Sequence, residues 1–64
     1  MERKMIRVTT ADGQICWINP SMIVGIYRNK DYDKVDISTV MFVNDSVINL
    51  PGTPDEVMMK VIGT

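Results

Sequence analysis

Residues 52–64 read GTPDEVMMKVIGT, and their spacing predicts a short helix over 54–62. Thr53 has the side chain of an N-cap, and Glu56 stands three residues later, where a capping box needs it. Pro54 suits the first helical position, and Asp55 and Glu56 favour the positive end of the helix dipole. Gly63 is placed to terminate the helix. At about 100° per residue, Val57, Met58, Val61 and Ile62 gather on one stripe, with Met59 at its edge and Lys60 pointing away. Fewer than three turns are marginal alone in water, so the stripe requires an apolar surface to lean on.

The preceding residues supply that surface as strands. KMIRVTT (4–10) alternates with Ile6 and Val8 on one side and Met5, Arg7 and Thr9 on the other, the period of a half-buried strand. Asp12-Gly13 is a hairpin signal, because Gly accepts the positive φ of a tight turn. The returning strand, 14–18, is apolar on both sides: Ile15 and Trp17 face one way, Cys16 and Ile18 the other. Asn19-Pro20 breaks it, with Asn19 suited to an Asx turn or to capping a single helical turn. A third strand over 23–29 contains Gly25, the mark of a bulge or bend. A charged loop leads to a fourth strand over 35–43, with Val35, Ile37, Thr39, Met41 and Val43 on one side and Asp36, Ser38, Val40 and Phe42 on the other. A two-residue Asn44-Asp45 loop would then set Met41 opposite Ile48 and Phe42 opposite Val47, leading into a fifth strand over 46–50.

The pattern predicts one α+β domain over 1–64: a small antiparallel sheet or partly open barrel of about five strands, with one C-terminal helix. One short helix covers only part of such a sheet. Apolar residues on its other face, namely Cys16 or Trp17 with Val40, Phe42 and Val47, call for a second chain as cover.

Size and composition point the same way. With 64 residues the private core is thin. The single cysteine excludes an internal disulfide, and the absence of histidine removes an ordinary zinc site. The hydrophobic share of 45% is that of a folded globule, which leaves association as the natural means of stabilisation. A net charge of −1, with both signs mixed along the chain, advertises neither nucleic acid nor an anionic membrane. No apolar run is long enough for membrane insertion, and a reducing, cytoplasmic setting is expected.

Residues able to carry chemistry are few. Acid–base catalysis usually recruits histidine or a buried carboxylate pair, and the acids here belong to turns or the helix start. Asp31, Asp33 and Asp36 lack the length, glycine and distal bidentate acid of a calcium loop, and are expected in a solvated hairpin tip. Cys16, with no base nearby in sequence, is expected to be a small buried hydrophobe. The chain is expected to be no enzyme and to hold no cofactor or metal. Six methionines are many for this length. Met41 and Met58 are expected to fill the core, and Met5 and Met59 to reach an interface.

MIRVTTADGQICWINPSMIVGI (5–26) resembles the opening of the small FlbD-type flagellar and swarming-motility proteins. Met5, Ile6, Val8, Thr9, Asp12, Gly13, Ile18, Asn19, Pro20, Ile23 and Ile26 carry the likeness. TPDEVMMKVI resembles that family's acidic-capped closing helix through Glu56-Val57 and Ile62. The middle departs, with Asn44-Asp45 where the family has a Gly-centred hairpin. About half the chain is covered, mostly by turn and core determinants, so the resemblance bears on fold more than on role. It implies a small non-enzymatic accessory of bacterial motility, or a related partner-binding role; a phage or other bacterial protein on the same scaffold fits equally. It carries over no catalytic residue.

Two functions follow from these residues. The first is a non-catalytic, homo-oligomeric interaction module that presents a sheet face or edge to a protein partner. Trp17, Tyr27, Phe42 and Met59 are its expected contacts, because large aromatic or flexible apolar groups concentrate interface energy. The second is a small β-rich binder of RNA or single-stranded DNA. It would need Arg3, Lys4, Arg7, Arg28 and Lys30 on one continuous face, with aromatic side chains for stacking.

Overall fold

The computed structural model describes residues 5–62. Strand β1 (Ile6–Thr9) pairs antiparallel with β2 (Ile15–Ile18), and the Val8–Cys16 and Arg7–Trp17 pairs fix the register. The loop spans three residues, Ala11, Asp12 and Gly13. The amides of Thr10 and Gly13 donate to the carbonyls of Gln14 and Thr10, at 2.7 and 3.0 Å. Gly13 takes φ +91°, which a Cβ would strain. With this register Val8 and Ile18 are buried, Ile6 and Cys16 pack against them, and Trp17 and Ile15 stay in water.

A single 3₁₀ turn (Pro20–Met22) follows, capped as its sequence indicates: Asn19 Oδ1 accepts from the Ser21 amide at 3.0 Å and from its hydroxyl at 2.8 Å. Strand β3 (Ile23–Arg28) then pairs with β4 (Ile37–Phe42), with a bulge between Ile23 and Gly25 that leaves Val24 unpaired. β4 also pairs with β5 (Val47–Pro51). The five antiparallel strands and the C-terminal helix α1 (Pro54–Ile62) make an α+β fold, divided into a two-stranded and a three-stranded sheet rather than closed into a barrel. One backbone hydrogen bond joins the two sheets, Ala11 N to Asn49 O at 2.8 Å, and a second, Val43 N to Met22 O at 2.9 Å, carries the β3–β4 pairing past Phe42 into the 3₁₀ turn.

The second hairpin corrects the expected pairing. Its loop is Val43-Asn44-Asp45, with Phe42 N donating to Ser46 O and Asp45 N to Phe42 O, both at 2.9 Å. Asp45 adopts φ +70°, the left-handed position that Gly13 occupies in the first hairpin. Asn44 Oδ1 accepts from the Ser46 amide and hydroxyl, which tightens the turn. The extra loop residue places Met41 opposite Val47 and Val40 opposite Ile48. A one-residue slip changes which side chains share a face.

The faces are corrected accordingly. Val40 and Leu50 are fully buried against Val8, Ile18, Val57 and Val61, with Phe42, Ile48, Ile26 and Ile23 packed around them. Of the residues expected to need a second chain, Cys16, Val40 and Phe42 are therefore covered by the chain's own helix and ribbon, whereas Trp17 and Val47 stay exposed. Val35 and Val43 fall outside β4 and are exposed. Ser38, the polar member of the core face, donates its hydroxyl to Gly52 O at 2.8 Å and so buries without an unpaired group.

The helix forms as its capping code indicates. The Thr53 amide donates to Glu56 Oε1 at 2.8 Å and the Glu56 amide to Thr53 Oγ1 at 3.2 Å, a reciprocal capping box. Gly52 turns into it at φ +115°, and a Cβ there would meet Glu56 Oε1 at 3.3 Å. Only Val57 and Val61 are buried. Met58, expected in the core, is about half exposed, because the sheet takes a narrower arc of α1 than its apolar residues cover. Gly63 lies outside the described residues.

Candidate interaction surfaces

Three surfaces hold the side chains expected to make contacts. The first is a groove of about 390 Å³ lined by Trp17, Ile18, Met22, Phe42 and Val43, with Asn19, Asn44 and Ser46 at its rim. It exists because the Asn19-Pro20-Ser21 and Asn44-Asp45-Ser46 turns lie side by side, held by the Val43–Met22 hydrogen bond. Both asparagine side-chain oxygens are already taken within their own turns. Among the described residues, no charged residue lines this groove. Trp17 and Phe42 therefore meet here, while Met22 and Val43 join them without a signal in the periodicity. Val43 was expected within a strand, and the groove depends on the three-residue loop that frees it.

The second surface is a depression of about 460 Å³ on the outer face of the three-stranded sheet, lined by Tyr27, Arg28, Asn29, Lys30, Asp31, Thr39, Val47 and Asn49. At its floor Thr39 Oγ1 donates to Asn49 Oδ1 at 2.8 Å, and Asn29 Nδ2 donates to Thr39 Oγ1 and Asn49 Oδ1 at 3.1 and 3.3 Å. These bonds explain how Thr39 is buried on an otherwise open face. Val47 and Asn49 also line an adjoining hollow of about 290 Å³ with Tyr32, Thr10, Asp12 and Gln14.

The third is the outer arc of α1, where Met59 is 70% exposed beside Met58 and Ile62. Trp17, Tyr27, Phe42 and Met59 thus occupy three places, with only Trp17 and Phe42 together. Of the basic residues, Arg28 and Lys30 share the Tyr27 depression, whereas Arg7 pairs across the ribbon with Trp17. Arg3 and Lys4 lie outside the described residues.

Asp12 is held below its ordinary value of 3.8. The Thr10 hydroxyl donates to its carboxylate and lowers the pKa; slight desolvation opposes this, and the backbone amides of Gln14 and of Asp12 itself support it. This hydrogen bond organises the first turn. Asp31, Asp33 and Asp36 are exposed, and among the described residues no group of three or more His, Cys, Asp or Glu side chains is placed to hold a metal. Among these residues, too, no helix is long and apolar enough to cross a membrane. No protein-family profile, curated protein or solved structure matches the chain.

Proposed function

We propose that this protein is a non-catalytic cytoplasmic interaction module, which self-associates and presents a sheet face to a protein partner. The observation supporting this reading is the mismatch between core and surface. Among the described residues seven apolar side chains are buried, while Trp17, Ile15, Val43, Met59 and Ile62 are mostly exposed and Met22 about half. Large apolar groups concentrated in this way mark association surfaces. The FlbD-type resemblance implies a role for such a module beside bacterial motility, and a phage or other bacterial role on the same scaffold fits equally. Light scattering at micromolar concentration tests the reading: a mass above that of one chain is expected, and a strict monomer sinks self-association.

A second reading rests on the Tyr27 depression, where an aromatic ring, Arg28 and Lys30 surround a polar floor. That combination suits a base and a phosphate. Asp31 in the same depression, with Asp33 and Asp36 in the same loop, opposes a polyanion and ranks this reading second. Filter binding of pooled RNA that weakens steeply with salt would reverse the order; weak retention indifferent to salt is expected.

A further inference from the structure

We propose that a second copy of this chain covers the outer face of the β1–β2 ribbon, packing face to face about Trp17 with two-fold symmetry. The proposal rests on the self-association reading above and says which surface carries it.

The edges of the three-stranded sheet are poor candidates for the contact. On β5, Asn49 O already accepts the Ala11 amide, and Pro51 has no N–H to offer. On β3 the bulge at Val24 interrupts the regular run that a partner strand would follow. The ribbon face is different. Its inner side chains, Val8, Ile18, Ile6 and Cys16, belong to the core, yet its outer side is also apolar. Trp17 and Ile15 are each 61% exposed, Met5 precedes β1 on the same alternation as Arg7, and Met22 and the 59%-exposed Val43 continue the surface through the groove.

Size and chemistry select a second copy as the occupant. The exposed parts of these five side chains amount to on the order of 400 Å² of apolar surface. This approaches the apolar share of the roughly 800 Å² that each partner gives to a standard interface. Among the described residues Arg7 is the one charged side chain on this alternation, as suits the centre of a homodimer interface, and it is informative. Arg7 stands directly across the ribbon from Trp17. A face carrying both a guanidinium and an indole complements itself under two-fold rotation, because each Arg7 can stack on the partner copy's ring.

Trp17 is the only tryptophan, so it reports on this contact directly. Dilution of the full chain through the micromolar range should shift its emission to the red as sedimentation shows dimer giving way to monomer. Trp17→Ser and Ile15→Lys, both at exposed positions, should raise the dimer dissociation constant by at least about thirty-fold. Val35→Ser, exposed in the loop before β4 and outside the three surfaces, should leave it within about threefold. A dimer whose tryptophan emission ignores dilution and which survives both ribbon substitutions overturns this face and leaves self-association standing. Dissociation caused by Met59→Ser alone would assign the contact to the helix instead. A wild-type chain that stays monomeric sinks the proposal and the self-association reading together.

Discussion

Ser38 has no accessible surface, and its hydroxyl meets the carbonyl of Gly52 just before the helix. Removing the donor leaves that acceptor without its partner, while the shape of the core hardly changes. Ser38→Ala should therefore cost about 1–3 kcal/mol in denaturant unfolding, more than its lost apolar contacts explain. Asp12 acts at the surface and through pH. Its folded-state pKa lies below the unfolded value, so its contribution is present above pH 3.8 and is lost as pH falls through the depressed folded value. Asp12→Asn should flatten that part of the acid limb, and an unchanged limb would remove the Thr10–Asp12 hydrogen bond from the account. Both residues were legible only in part. Asp12-Gly13 announces a turn, but nothing in the local sequence says that Ser38 finds a carbonyl fourteen residues away.

At the scale of elements, the helix was the most legible piece because its code is local. Thr53, Pro54 and Glu56 specify the start through contacts within four residues, and the capping box forms as written. Thr53→Ala should cost about 1 kcal/mol. The strands were legible from their alternation, yet the facing of β4 was not. Counting apolar positions favours the Ile37–Met41 side, whereas the core cluster takes Val40 with Phe42 packed against it, although Ile37 is buried as well. The choice depends on one residue in a left-handed conformation, Asp45, and on whether the loop holds two residues or three. The helix repeats the lesson. Its apolar arc is wide, and the sheet takes only the part around Val57 and Val61. Val61→Ala should lower stability by about 2 kcal/mol, whereas Met59→Ser should stay within about 0.5 kcal/mol in a dilute, monomeric sample. Equal effects would mean that the arc is buried differently in solution.

For the whole molecule, sequence foretold an excess of apolar surface but not where it would collect. Trp17 and Phe42 come together because two Asn-x-Ser turns pack side by side, a juxtaposition fixed by the long-range Val43–Met22 hydrogen bond. Tyr27 and Met59 go elsewhere, since strand pairing turns one to the open sheet face and helix docking turns the other outward. A core this small gives a domain of about this length only marginal stability by itself. If association supplies the remainder, unfolding of the dimer releases two chains, and stability must rise with concentration by mass action. For a chain of this size each tenfold increase in protein concentration should raise Tm by about 5 °C, since small domains unfold with an entropy near 2 cal/mol/K per residue. Calorimetry across two decades of concentration reads this without any mutation. A Tm indifferent to concentration would mean that the buried cluster around Val40, Leu50 and Val57 holds the fold unaided.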